Sequence, residues 1–254
     1  MALQEEMERQ GNWLFQHRSF LPIIPLIIAF VLYLRMKIYP EIFILEETRY
    51  ELFYEMSAVF VSLLGFFVRV ITIGFTPKNT SGRNTSEGQV ADTLNTTGIY
   101  STVRHPLYLG NFLMWLGIAL WTGNFWFIIA FCLFYWVYYE RIMFAEESFL
   151  RIKFGEEFLK WSEGTPAFIP KFRNYKKSFR AFNWRKVLRQ EKNGLFALFL
   201  IFCLFNVIGE IVANGMDYNI FLMIMAVITG LSYISLRYLK KKTTLLRDFS
   251  EDHR

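Results

Sequence analysis

Apolar residues fall into six long runs separated by charged or polar stretches, each run approaching the ~20 residues that cross a hydrocarbon core as a helix. The runs cover residues 20–34 (extendable to 39), 52–75, 107–121, 125–139, 195–212 and 219–236. Only Thr122, Gly123 and Asn124 join the third run to the fourth, and the fifth and sixth are again closely linked, so each pair predicts a helical hairpin. The pattern predicts an all-α fold: a polytopic membrane helical bundle of about six transmembrane helices. The runs flanking Trp121 are short, which leaves a partly re-entrant hairpin open there.

Between the runs, residues 76–106 are rich in Gly, Ser, Thr and Asn, a composition that favours loop. Residues 140–192 divide in two. The first part, through about Trp161, continues the fourth run as a helix and is ended by Gly164-Thr165-Pro166. The second, 170–192, is strongly basic and interleaved with Phe172, Tyr175, Phe179, Phe182 and Trp184, which suits a membrane interface as well as a solvated loop over core aromatics. Three divisions follow: 1–51 as tail, first helix and loop; 52–186 as the core; 187–254 as a hairpin with a basic tail.

Charge adds orientation. Of the 28 Lys and Arg, placing both termini inside puts 25 on the cytoplasmic side and three outside, and positive loops stay cytoplasmic. The chain is thereby expected in the cell (inner) membrane. Its net charge of +6 suits anionic lipid headgroups better than nucleic acid. Glu5, Glu6 and Glu8 precede the first run, and no small-residue cleavage site follows it, so that run is expected to remain as a helix. Cys132 and Cys203 lie inside apolar runs and read as small hydrophobes. Asn79, Asn84 and Asn95 begin N-x-S/T triplets on the side expected to be cytoplasmic, where they are chance matches.

Chemistry has few places to sit. The three His residues are His17, His105 and His253, with no H-E-x-x-H and no Cys/His cluster, so a zinc enzyme is not indicated and no metal is expected. No two glycines are separated by a single residue, which removes the dinucleotide loop; G-x-S-x-G and the Walker loop are missing too. What remains is a polar group at two neighbouring helix ends. Pro106 can open the third helix, where its missing N–H costs nothing. Arg104 and His105 then stand at that helix's mouth beside free backbone N–H groups suited to an anion. The tight hairpin brings them, with Tyr108, close to Arg141 and Glu146. Spacing alone also allows a bland reading, in which the arginines are interfacial anchors and Glu146 and Glu147 pair with Arg151 and Lys153 along one helix.

The string Gly98-Ile99-Tyr100-Ser101-Thr102-Val103-Arg104-His105-Pro106-Leu107-Tyr108-Leu109-Gly110-Asn111 resembles the R-H-P-x-Y-x-G block of the isoprenylcysteine carboxyl methyltransferase and phospholipid methyltransferase superfamily. Arg141, Glu146-Glu147, Leu150, Phe154-Gly155, Thr165-Pro166 and Ile169-Pro170 continue the likeness in order, over roughly residues 65–170. Phe158 and Trp161 depart from it, keeping a ring but no hydroxyl where relatives commonly carry Tyr.

The resemblance implies an integral membrane methyltransferase that uses S-adenosyl-L-methionine and takes a lipid or lipophilic small molecule from the bilayer. It assigns cofactor binding to Tyr100, Arg104, His105, Pro106, Tyr108, Gly110 and Glu146, with Pro106 and Gly110 shaping the start of the helix and Glu146 meeting the ribose or amino group. Arg141 and Glu147 would face the reacting group, as catalytic residues. Arg141 would orient a carboxylate acceptor and Glu147 would take a proton from an amine. Sterol reductases share a similar core, so a nicotinamide-dependent membrane reductase is the second reading. A transporter or scaffold, suggested by Glu55, Asn206 and Glu210 in or near the runs, is the third.

Overall fold

The structure, a computed structural model, describes residues 2–18, 20–39, 50–77, 83–85 and 88–246. The triplet at Asn79 lies outside the described residues. Eight α-helices are described: α1 (Leu3–His17), α2 (Ile23–Ile38), α3 (Glu51–Phe75), α4 (Pro106–Trp121), α5 (Phe125–Phe154), α6 (Glu156–Gly164), α7 (Trp184–Ala213) and α8 (Ile220–Lys242). Two small β features depart from the all-α expectation among the described residues: a short antiparallel ribbon, β1 (Arg83–Thr85) with β2 (Gly88–Val90), in the stretch expected to be loop, and an isolated bridge between Gly98 and Lys176.

Among the described residues four helices are long and apolar enough to cross a membrane: α3, α5, α7 and α8. The other two expected spans became α2 and α4, of 16 residues each. At 1.5 Å per residue these reach about 24 Å, short of a ~30 Å hydrocarbon core. Small residues set how α4 sits. Side chains added at Gly65, Gly110 or Gly117 would collide with Gly110, Arg69 or Ser62 across the α3–α4 contact, so the two backbones touch closely. Close approach through small residues is the usual way apolar helices associate where lipid surrounds them. One core joins α2, α3, α4 and α7 around Tyr33, Phe199 and Phe202. A second is aromatic, gathering Phe15, Tyr108, Tyr135, Tyr139 and Ile142 from α1, α4 and α5.

Three features depart from the hydropathy reading. The N-terminal tail forms a helix, α1, with Glu5 and Glu6 in its first turn, where the macrodipole favours anions. Gly11 lets α1 lie on α5, since a methyl there would strike the Arg141 carbonyl and Ala145. Helix α5 runs on through the Glu pair as expected but breaks before Trp161, at Gly155, whose φ of +51° suits glycine and turns the chain into the separate α6. Helix α7 starts at Trp184, well before the apolar run, so its first turns belong to the basic stretch and carry Glu191. Its Asn183 cap accepts from the Lys186 N–H at 2.9 Å.

Candidate active site

The Arg104-His105-Pro106 segment is fixed from outside as much as by its own helix. Arg104 and His105 donate their backbone N–H groups to the Pro166 and Ala167 carbonyls at 2.9 and 3.2 Å. Lys171 N–H returns the pairing to Thr102, and Gly98 N–H donates to Lys176 at 2.8 Å. The Trp161 indole N–H reaches the Tyr100 carbonyl at 3.2 Å, and an Arg104 N–H reaches the Ser162 carbonyl at 3.2 Å. The two halves of the sequence likeness are thus one folded unit, the second holding the first at the mouth of α4. Pro106 takes the first helical position and is fully buried.

Side chains then converge across the α4–α5 hairpin. His105 Nε2 lies 2.8 Å from Glu147 Oε1, and its Nδ1 lies 3.5 Å from Glu146 Oε2. The Tyr108 hydroxyl donates to Glu146 at 3.0 Å, and its ring stacks on His105 with centroids 5.6 Å apart. Arg104 Nε stands 3.0 Å from Glu147 Oε1, an ion pair without hydrogen-bond alignment. The helical pairing of Glu146 and Glu147 with Lys153 and Arg151 is not what forms. Glu146 is 3% exposed and His105 6% exposed, so both charges depend on each other. Burial pulls the imidazole pKa down, but Glu146 and Glu147 outweigh it and raise it to about 9. The two carboxylates thus favour the protonated imidazole. Burial, with Glu146 adding to it, raises the Tyr100 pKa, which keeps the phenol neutral.

A cavity of about 480 Å³ opens beside this group, within the ~300–1,000 Å³ typical of small-molecule sites. Of the residues expected to bind a cofactor, Tyr100, Arg104, His105, Pro106, Tyr108 and Glu146 line it. Gly110 does not; it faces α3, where its missing side chain admits Arg69 and Gly65. Glu147 stands behind His105 and Arg104, outside the wall. Arg141, expected to face the reacting group, lies away from the cavity. Its side chain bonds Gln10 of α1 and Glu140, both at 3.3 Å, because α1 covers that face of α5.

The rest of the lining was not anticipated. It includes Arg18, Arg69, Asn111, Tyr139, Gln190 and Glu191. Glu191 accepts from Arg69 Nε at 2.9 Å and from its terminal nitrogen at 2.5 Å, while Asn111 takes a third bond at 2.5 Å. Asn111 also donates to the Tyr139 hydroxyl at 3.4 Å. The available signal was an arginine inside an apolar run, which marks a functional candidate more strongly than an interfacial anchor. Glu191 carried a weaker one, as an acid within a basic stretch.

Comparison with known proteins points to the same segment. Residues 53–157 match the phospholipid methyltransferase family. The chain is 31% identical over 117 residues to the protein-S-isoprenylcysteine O-methyltransferase of Schizosaccharomyces pombe, covering 46% of this chain and 50% of that protein. It is 35% identical over 89 residues to the cobalt-zinc-cadmium resistance protein CzcN of Cupriavidus metallidurans, covering 35% and 41%. The nickel-cobalt-cadmium resistance protein NccN of Alcaligenes xylosoxydans is 34% identical over 91 residues, covering 36% and 39%. The chain thus spans half or less of the length of these curated relatives. No solved structure matches.

Proposed function

We propose, from the premise that residues 53–157 belong to the isoprenylcysteine carboxyl methyltransferase and phospholipid methyltransferase superfamily, that this membrane protein transfers a methyl group from S-adenosyl-L-methionine to a lipophilic acceptor. The acceptor is a lipid amine or an isoprenoid- or prenyl-type carboxylate, and the site faces the cytoplasm. The observation that carries the proposal is the buried His105–Glu146–Tyr108 group forming one wall of a 480 Å³ cavity at the end of an apolar helical bundle.

The donor set fits the cofactor. Glu146 offers a buried carboxylate for a ribose or amino group. Arg18, Arg69 and Arg104 offer cations for a carboxylate. The Tyr108 and Tyr139 rings, with centroids 4.8 Å apart, offer π faces to a positive sulfur. When bound, the cofactor supplies a methyl group on a cationic sulfur, which keeps the C–S electron pair when the acceptor's lone pair bonds the methyl carbon. The protein's own work is alignment and exclusion of water. Glu147 holds His105 protonated and Arg104 in place, so it acts through them. Arg69 lines the cavity where Arg141 does not, and takes over the orienting of an anionic acceptor.

The test is transfer of radiolabel from S-adenosylmethionine into a membrane lipid extract by the purified full chain in lipid nanodiscs, with Glu146→Gln beside it. Label is expected in the organic phase with the native chain and near background with the variant. Failure of the native chain to bind S-adenosylmethionine at millimolar concentration, by calorimetry, would overturn the proposal. Nicotinamide-dependent reduction of a sterol or polyprenyl lipid would move the protein to the reductase reading.

A further inference from the structure

A second opening lies on the other side of the α3–α7 seam. It is an apolar groove of about 440 Å³ between α3, α7 and α8, lined by Leu63, Phe67 and Val70 of α3, Leu195 of α7 and Tyr233 and Leu236 of α8. Helices α7 and α8 lie wholly outside the matched residues 53–157. One residue belongs to both openings: Glu191 lines the groove and the polar cavity alike. Its partner Arg69, one residue before groove-lining Val70, lines the cavity. The Arg69–Glu191 ion pair is thus the partition between an apolar slot and the candidate active site.

The groove also has a charged end. Lys192 lines it, and Arg237 and Lys240 are near enough to act on the Lys192 ammonium. Arg237 reaches the hydroxyl of groove-lining Tyr233 at 3.2 Å. Cations at this level, with apolar walls running from it toward Leu63 and Leu195, match an amphiphile that has one apolar chain and an anionic end. The basic end and Glu191 stand next to each other in sequence, so such a headgroup arrives at the partition rather than at the far end of the groove.

We propose that the groove between α3, α7 and α8 holds the apolar chain of an anionic methyl acceptor and brings its polar end to the cavity past Arg69 and Glu191. The acceptor's part in this rests on the methyl-transfer reading; binding of an anionic single-chain amphiphile in the groove does not. The C-terminal hairpin then selects the substrate for a core that lies outside it. Transfer itself needs no group from the hairpin beyond Glu191, which positions Arg69.

The experiment uses the full chain in phosphatidylcholine nanodiscs and a diazirine-bearing palmitate, with crosslinks mapped by mass spectrometry. Expected are saturable crosslinks at groove residues such as Leu63 or Tyr233, competed by unlabelled palmitate. They should fall about tenfold in Ser232→Trp, which narrows the groove from an exposed position, at unchanged S-adenosylmethionine affinity. Leu236→Trp serves as the second variant, should Ser232→Trp lose cofactor binding and so its fold. Crosslinks that are not competed, or that both tryptophans leave unchanged, would overturn the inference. So would equal labelling of the groove by a diazirine-bearing phosphatidylcholine, the mark of a structural lipid. If the native chain labels as expected yet neither binds S-adenosylmethionine nor transfers a methyl group, the groove stands as a lipid site and the proposed function falls.

Discussion

Lys37, near the end of α2, meets Glu51 of α3 at 3.1 Å and Glu210 of α7 at 3.5 Å. At the opposite end of the bundle His105 meets Glu146 and Glu147 at 3.5 and 2.8 Å. Both are largely buried ionic groups in an apolar bundle, where such residues are functional candidates by default. They differ in what else their atoms do. Glu210 also accepts from the Asp217 N–H at 3.1 Å, and Asn206 accepts from the Asn219 N–H at 2.8 Å, closing the α7–α8 turn. The far cluster has its polar groups engaged with one another and with backbone. The His105 cluster fronts a cavity and shares that cavity with three arginines. Polarity inside a membrane helix marks a site when it faces room for a ligand. Asn206 and Glu210 instead bond the backbone that closes the α7–α8 turn, which accounts structurally for two of the three residues behind a transporter reading.

Substitution at the centre of the open cluster is the most severe way to test that contrast. Glu146→Ala leaves protonated His105 without its buried partner and Tyr108 without its acceptor. The chain also loses the carboxylate proposed to meet the cofactor, and hydrogen bonds to a charged group are worth about 1.5–3 kcal/mol, so S-adenosylmethionine affinity should fall by about 100-fold in calorimetry, beside a loss of stability. Full affinity in Glu146→Ala would put the cofactor elsewhere. The matching change at the closed cluster, Lys37→Met, should act on stability alone. A loss of about 3 kcal/mol there corresponds to a melting temperature lower by several degrees, with cofactor affinity within about twofold of native. A Lys37→Met chain that melts normally but transfers no methyl group would erase the distinction between the two ends.

The pH dependence is a milder version of the same test. Glu146 and Glu147 of α5 favour protonated His105, while the Arg104 guanidinium beside Glu147 and the Tyr108 hydroxyl on Glu146 share those carboxylates. A raised imidazole pKa means the favourable pairing is fully present below the ordinary value of ~6.5 and is lost as pH rises through about 9. Cofactor affinity should be flat between pH 6.5 and 8 and decline by about tenfold by pH 10. His105→Gln should start lower and show no decline over that range. A decline centred near pH 7 would mean that the carboxylates do not hold the proton.

How much of this was legible follows from the range of each interaction. Helices α3, α5, α7 and α8 were readable because each buries or exposes a long apolar run, a local property of the chain. Arg104, His105 and Tyr108 could be placed near Glu146 because one short turn fixes the α4–α5 hairpin. Arg141 could not be excluded, since what covers it is α1, whose packing depends on the absent side chain of Gly11 contacting α5. Arg69 and Glu191 each carried a signal, but their pairing could not be read. It joins residues separated by most of the core, and the hydropathy pattern assigns the early turns of α7 to a basic loop.

The smallest effect concerns Phe158 and Trp161, where the sequence resemblance led a tyrosine to be expected. A ring without a hydroxyl there suggested a missing hydrogen bond. Phe158 is buried and packs edge-on to Trp161, with centroids 5.9 Å apart, while the Trp161 indole donates to the Tyr100 carbonyl at 3.2 Å. The Trp161 ring thus supplies a hydrogen-bond donor of its own, an N–H, and it holds the segment ahead of Arg104. Trp161→Phe keeps much of the aromatic packing and removes that donor, leaving a buried carbonyl with one partner fewer. A net hydrogen bond is worth about 1 kcal/mol, so the melting temperature should fall by only about 2–4 °C, while loosening of the Arg104–His105 segment should lower cofactor affinity by about fivefold. Because Lys37→Met should do the reverse, the two variants measured together separate a residue that orders the open cluster from one that holds the closed one. An unchanged affinity in Trp161→Phe would mean that backbone pairing with Pro166 and Ala167 suffices to hold the Arg104–His105 segment in place.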